Sequence, residues 1–340
     1  MTGRTRIAFV ELWRLGDAVA ATAGLLALRT ARPDADIAIV AHPDNGEPLF
    51  RLLPDATHIP FAAFWTRGKL ARDKYLPWTI DHSDVWRVRR QLNDFSADSY
   101  VLFRGDVREH VFFSTLRRAK VVDYAGRFNL FPWVQTMPRP RQVPRFREYV
   151  HLVKAWTTLN VSAEPCLAGI PVSDTKTRSF VLIHPGASWR FKQWREDNFV
   201  ELIRRLMSVG VPVKLVGSAD DAPLIRRIGD KLPQPVDFIL PSLEQFYYLV
   251  AAAKLVICNN SAALHIAEAL DTPCIAITGP SDPIRWGTYK AHSRTIEKSV
   301  GLPCHPCGEK RCVRPTNPCI DEIRVDDVFR AVTDLGLLNS

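Results

Sequence analysis

Short apolar runs alternate with segments of helical period along almost the whole chain, and few folds satisfy that alternation. "RIAFVEL" reads as a strand. Residues 17–32 read as a helix, with Val19, Leu25, Leu26 and Leu28 as its apolar positions and Pro33 just beyond its end. "ADIAIVA", "SYVLFRGD" and "AKVVDYAG" are further strands. Strands linked by crossover helices predict a largely parallel sheet. The pattern then breaks. "NVSAEPCLAGIPVSDTKTR", residues 160–178, is polar, rich in small residues and aperiodic, which predicts a linker. After it the alternation restarts. "SFVLIHPG", "VPVKLVGS" and "VDFIL" are strands. Residues 195–208 form a helix with Phe199, Leu202, Ile203 and Leu206 on one face. "SLEQFYYLVAAA" is a helix with Ser242 as its N-cap, and "RVDDVFRAVTDLG" closes the chain as a helix. The expectation is α/β: a Rossmann-like domain over residues 1–160, a linker over 161–178 and a second Rossmann-like domain over 179–340.

Length and composition agree. A chain of 340 residues accommodates two domains, and 46% hydrophobic with 24% charged residues describes a globular protein. Polar residues interrupt the longest apolar runs well short of the roughly 20 residues of a membrane span. The N-terminal residues lack the apolar core and cleavage site of a signal peptide, so a cytoplasmic location is expected. The net charge is +9, with basic groups at Arg67, Lys69, Arg72 and Lys74, at Arg87, Arg89 and Arg90, at Arg117, Arg118 and Lys120, and at Arg139, Arg141, Arg145 and Arg147. Such a face suits phosphorylated substrates or anionic lipid headgroups, or is a solvated surface. No nucleic-acid-binding signature accompanies it, so no nucleic-acid partner is expected.

In parallel α/β sheets ligands bind beyond the carboxyl ends of the strands. Four places there carry candidate residues. After the first strand, "WRLGDAVAATAG" puts Asp17 at a helix start, where it either caps the helix or acts as a general base. The stretch lacks a G-x-G-x-x-G fingerprint. "HPGASWRFKQWREDNF" supplies Ser188 and Lys192 ahead of a helix, a suitable place for a diphosphate. In "LVGSADD", Gly217 allows close approach of a ligand, and Asp220 or Asp221 accepts from ribose hydroxyls or caps the next helix. In "VICNNSAALHIAEAL", Asn260, Ser261 and Ala262 fall at a helix N-terminus whose free N–H groups suit an anion, with His265 one turn in.

Taken together, "RLGDAVAATAGLLALR", "HPGASWRFKQWREDNF", "VGSADD" and "CNNSAALHIAEALDTPCIAITGPSDP" resemble glycosyltransferase family 9, the ADP-heptose–lipopolysaccharide heptosyltransferases. The resemblance implies a GT-B architecture, two Rossmann-like domains facing across a cleft, with acceptor in the N-terminal domain and nucleotide sugar in the C-terminal one. It implies an inverting transfer in which Asp17 is the base. Lys192 contacts the donor phosphates, N–H groups near Ser261 and Ala262 hold the diphosphate, and His265 lies close by. It also implies an ADP-sugar donor, a phosphorylated glycolipid or glycan acceptor, a peripheral position at the inner membrane face and no catalytic metal. The one Asp-x-Asp, Asp34 to Asp36, precedes a strand, at the wrong end for a metal-bound diphosphate. Where the family usually has an aspartate, this chain has Asn260. That substitution motivates one alternative, a non-catalytic sugar-nucleotide-binding protein; a member of the same family acting on another acceptor, protein or glycan, is a second.

"CHPCGEKRCVRPTNPC" spaces Cys304, Cys307, Cys312 and Cys319 as C-x2-C-x4-C-x6-C, within a loop over 304–319. In a cytoplasmic chain four such thiols read as a structural zinc or iron site, with His305 as an alternative ligand, or as reduced cysteines. Relatives that modify proteins hold iron in a similar four-cysteine finger.

Overall fold

The computed structural model describes residues 4–66, 80–116, 120–126, 131–171, 178–305, 307, 312–314 and 316–337. The basic groups at Arg67, Lys69, Arg72 and Lys74, and at Arg117 and Arg118, lie outside these residues, as do residues 172–177 of the expected linker. The chain divides into two compact units, Met1–Ala168 and Gly169–Ser340.

In the first unit, β1 (Arg6–Glu11), α1 (Leu15–Ala31), β2 (Asp36–Ala41), α2 (Glu47–Leu52), β3 (Thr57–Pro60), α3 (His82–Phe95), β4 (Ser99–Val101), α4 (Val107–Ser114), β5 (Lys120–Tyr124), β6 (Val134–Met137) and α5 (Arg145–Thr157) follow in order. The sheet runs β3-β2-β1-β4-β5-β6 with every pairing parallel. In the second unit the elements are β7 (Val181–His184), α6 (Glu196–Ser208), β8 (Val213–Val216), α7 (Ala222–Asp230), β9 (Asp237–Ile239), α8 (Leu243–Ala252), β10 (Leu255–Asn259), α9 (Ala262–Ala269), β11 (Cys274–Thr278), α10 (Pro283–Trp286), β12 (Arg294–Glu297), α11 (Pro318–Asp321) and α12 (Val325–Asp334). Its sheet runs β12-β11-β10-β7-β8-β9, again parallel throughout.

Each sheet is therefore doubly wound. Strand order reverses between β1 and β4 in the first unit and between β7 and β10 in the second. The two loops leaving such a pair diverge to opposite faces, which opens a crevice at the carboxyl edge. Central strands that are buried on both faces explain the unbroken apolar runs: Ile7, Ala8, Phe9 and Val10 of β1, and Leu255, Val256, Ile257 and Cys258 of β10, are all buried.

One packing contact in the first unit bears directly on the site. A Cβ at Gly24 of α1 would lie 2.6 Å from the Tyr149 Cβ of α5. Glycine there lets the two helices approach closely, and Ala20, Ala21, Ala23 and Ala27 keep the rest of the seam narrow. This seam brings the N-terminal turn of α5, with Arg145, up to the start of α1, with Asp17.

Candidate functional site

The sequence places Asp17 three residues into α1, whose N-cap, Arg14, makes no side-chain capping bond. Asp17 does not serve as the N-cap; its carboxylate is drawn into a buried ionic cluster at the β1/β4 reversal. Asp17 Oδ1 lies 2.6 Å from Arg104 Nη2, in the loop after β4, and 3.7 Å from Arg145 Nε. Arg145 Nη1 donates to Glu148 Oε2 at 2.6 Å and Nη2 to the Tyr149 hydroxyl at 2.9 Å. That hydroxyl donates in turn to Glu11 Oε2, at the end of β1. Arg139 Nη1 also donates to Glu148 Oε2, at 2.7 Å, and its Nη2 reaches the Arg104 carbonyl at 2.9 Å. Burial pushes the Glu11 carboxyl up, against the pull of Arg104, while the Asp17 charge adds to the rise.

Trp13 covers this cluster. Its backbone N–H donates to Glu11 Oε1 at 3.0 Å and its indole N–H to Glu109 Oε1 at 2.9 Å, while the Arg104 guanidinium lies 4.7 Å above its ring. Glu109 is fully enclosed, and burial, with Asp106 and Asp123 nearby, lifts its carboxyl to about 8. Beside it the buried His110 Nε2 and Asp123 Oδ2 share a hydrogen bond of 2.8 Å, and Asp123 Oδ2 also accepts from the Gly105 N–H at 2.8 Å. Of all these groups, the sequence singled out Asp17 as a candidate base and named Arg139 and Arg145 only within a general basic face. Arg104, Glu11, Glu148 and Glu109 stand in four separate segments with no shared motif. The one legible signal was "FRGD", charge placed directly after an apolar strand.

The second unit presents a different surface at its reversal. Asn259, at the end of β10, stitches the two diverging loops. Its Nδ2 donates to the Pro185 carbonyl at 2.6 Å and its Oδ1 accepts from the Trp194 N–H at 2.9 Å. The loop after β7 is thereby tied to the start of α9. That loop carries His184, Ser188 and Lys192. Ser188 is exposed; Lys192 is half-buried in a short 3-10 turn, Arg190–Lys192, with its ammonium 5.1 Å from the Trp189 ring. Burial draws the His184 imidazole below its usual range, so it is neutral at pH 7, and its buried Nδ1 makes no hydrogen bond among the described residues.

Ser261 is the N-cap of α9, yet its side chain makes no capping bond, and its buried Oγ is unpaired among the described residues. Ala262 begins the helix. The first N–H groups of α9 thus lie beside an unused hydroxyl, an arrangement that favours an anion. His265, one turn on, packs edge-to-face with Trp286, ring centroids 5.8 Å apart. Asn260 does something the sequence did not foretell: its Nδ2 donates to the Trp286 carbonyl at 2.7 Å and to Thr278 Oγ1 at 3.3 Å. A carboxylate has no proton for these acceptors.

Gly217 and Asp221 meet each other. Asp221 Oδ2 accepts from the Ser218 N–H at 2.9 Å and the Ser218 hydroxyl at 2.7 Å, closing a capping box. A Cβ at Gly217 would lie 2.8 Å from the Asp221 Cβ, and one at Gly186 would lie 2.2 Å from Asp221 Oδ1. Asp221 is thus a close neighbour of both glycines, with the Ile225 Cδ1 2.7 Å from a Cβ at Gly217.

Cys304, Cys307, Cys312 and Cys319, with His305, line one small cavity of about 20 Å³, walled also by Phe191 and Pro280. The Cys307 N–H donates to the Pro280 carbonyl at 3.0 Å, which fastens the loop beyond β11. Burial and the other three thiols push the Cys319 thiol up to about 11. The donor set suits zinc or iron. Among the described residues, however, no three His, Cys, Asp or Glu side chains are drawn into metal-holding geometry. Cys312 Sγ instead donates to the Thr316 carbonyl at 3.1 Å.

With that geometry in place, the comparison with known proteins is decisive about descent. The model of glycosyltransferase family 9 (heptosyltransferase) matches residues 120–316. The chain belongs to glycosyltransferase family 9. Among curated relatives, lipopolysaccharide heptosyltransferase 2 of Salmonella typhimurium is 33% identical over 136 residues, 38% of this chain and 39% of the relative. Such alignments span about two fifths of the relatives' own length. Solved structures extend the likeness of fold to the whole family 9 chain. The ADP-heptose lipopolysaccharide heptosyltransferase II of E. coli has a TM-score of 0.72 at 19% identity, covering 98% of each chain. A family 9 glycosyltransferase from Veillonella parvula has a TM-score of 0.77 at 16% identity, covering 100% of this chain and 99% of its own. The iron-containing dodecameric glycosyltransferase TibC of enterotoxigenic E. coli has a TM-score of 0.60 at 14% identity, covering 98% and 76%. The fold is thus GT-B, built from two Rossmann-like units.

Proposed function

We propose that this family 9 member is an inverting glycosyltransferase that moves heptose from ADP-heptose to a lipopolysaccharide core or related glycan. The observation that carries the reading is the carboxylate of Asp17, held at the strand-order reversal of the first unit with arginines on either side. Asp17 takes the proton of the acceptor hydroxyl. The hydroxyl oxygen bonds to the anomeric carbon, and the bonding pair of the old carbon–oxygen bond leaves with the diphosphate.

The second unit takes the donor. The N–H groups at Ser261 and Ala262, the Ser261 hydroxyl and Lys192 neutralise the growing charge on the diphosphate, the largest contribution expected in such a transfer. Neutral His184 adds a hydrogen-bonding edge, His265 lies one turn into α9, and Ser188 lies on the same loop as Lys192. Gly217 and Asp221 shape the neighbouring turn, and Asn260 holds the Trp286 carbonyl against the end of β11. With that task, Asn260 no longer argues for a non-catalytic protein.

The acceptor reading places the enzyme in the cytoplasm at the inner membrane face; among the described residues no helix is long and apolar enough to cross a membrane. The four-cysteine loop is proposed as a structural metal site that closes around zinc or iron, for which elemental analysis of the purified protein is the check. The function itself is tested by incubating the protein with ADP-heptose and lipopolysaccharide-core acceptors of differing length. ADP release together with a product heavier by one heptose is expected. Donor binding without ADP release on every acceptor would refute it.

A further inference from the structure

The two arginines on Asp17 are held in different ways. Arg145 is 1% exposed and committed by direction: its guanidinium donates to Glu148 and Tyr149 and stacks 4.3 Å over the Tyr149 ring. Arg104 is 21% exposed. It meets Asp17 at 2.6 Å, lies 3.8 Å from Glu11 Oε1 and rests on the Trp13 ring. Its buried Nε and Nη2 make no hydrogen bond among the described residues. Charge and stacking alone hold it, and neither demands a fixed direction. A guanidinium fork is the side chain best matched to a carboxylate or phosphate.

We propose that Arg104 is a specificity-determining residue that receives an anionic group of the acceptor and, in turning to it, leaves Asp17 Oδ1 to the attacking hydroxyl. This rests on the reading of Asp17 as the base. Without the anion, Arg104 stays on the oxygen that must accept the proton. Arg145 remains in place throughout, so the carboxylate keeps its orientation. Arg104 itself transfers no proton; the proton passes from acceptor hydroxyl to Asp17. A neutral acceptor, or water, finds the base engaged, so the same contact guards the donor against hydrolysis.

The shared chemistry, a phosphate or a sugar-acid carboxylate beside the reacting hydroxyl, is resolved by three acceptors: an intact core glycolipid, its dephosphorylated form and a form with its carboxylates reduced to alcohols. For the unaltered protein, kcat/KM is expected to fall about 10-fold or more on one of the two depleted acceptors, and the arm that falls names the group. Arg104→Gln should bring the intact acceptor down to that level, so that the preference flattens to within about 2-fold, and should raise ADP release in the absence of acceptor. Arg104→Lys should restore part of the preference, which a merely structural role would not do. Equal kcat/KM on all three acceptors for the unaltered protein overturns the proposal. So does an Arg104→Gln protein, folded by its melting curve, that keeps the preference. If Arg104→Gln does not fold, the acceptor series and Arg104→Lys decide: an unaltered preference in the lysine variant, with the fork geometry lost, overturns the role given to the guanidinium. Failure of the unaltered protein to transfer any sugar to any acceptor overturns instead the function on which the proposal rests.

Discussion

The two units solve the same topological problem with opposite chemistry. Each has a parallel six-stranded sheet among the described residues, and each reverses strand order at its centre. At the first reversal the loops bring together Glu11, Asp17, Arg104 and Arg145, charge against charge in a buried setting. At the second they bring together Asn259 and Asn260, which hold neighbouring backbone through neutral hydrogen bonds, with the Ser261 hydroxyl and His184 Nδ1, unpaired among the described residues. The lesson is that the crevice comes from the fold and the reaction from what lines it. A carboxylate among arginines can manage a proton. A helix start with spare N–H groups can receive an anion.

The sharpest way to break this contrast is to remove the charge from the first site. Asp17→Asn keeps shape and removes the proposed base, so transfer should drop by about 10²- to 10⁴-fold, while ADP-heptose affinity measured by calorimetry stays the same. Equal loss of donor affinity would mean that the two sites do not divide the work. The corresponding change in the second unit, Lys192→Met, removes a positive charge and should weaken donor binding by about 10-fold or more, with a smaller effect on acceptor affinity. Asn260→Asp tests whether the neutral character of the second site is structural. The new carboxylate would face the Trp286 carbonyl where the amide donated at 2.7 Å. A loss of about 1–3 kcal/mol in a denaturant melt is expected, and a variant as stable as the parent would remove the task assigned to Asn260.

A smaller effect should come from Glu109, which belongs to the charged unit but is kept neutral by burial. Its carboxyl is raised from 4.5 to about 8, so the folded state holds a proton that the unfolded chain has released between those values. The stabilisation is fully present below pH 4.5 and is lost as pH rises through about 8. Glu109→Gln should flatten the fall in melting temperature across that range. An unchanged pH profile would show that Glu109 is ionised in the native protein.

The alternation of apolar runs with helical periods was enough to predict two parallel α/β units, because strands buried on both faces cannot be written with polar residues. It was also enough to single out Asp17, Lys192 and Ser261 as candidates, since ligands of parallel α/β sheets bind beyond the carboxyl ends of the strands. Three things were decided only in three dimensions. The partners of Asp17 come from the loop after β4 and from α5, and no local pattern links them; the Gly24 seam and the strand order bring them together. Asn260 read as a missing carboxylate, and its proton donation to Trp286 depends on a carbonyl 26 positions away. Gly217 read as room for a ligand, and the space it leaves is taken by Ile225 and Asp221. The sequence alone determines periodicity, and hence which residues are core and which follow a strand. Tertiary packing decides which of those residues meet, because strand order is set by how whole helices cover whole sheet faces.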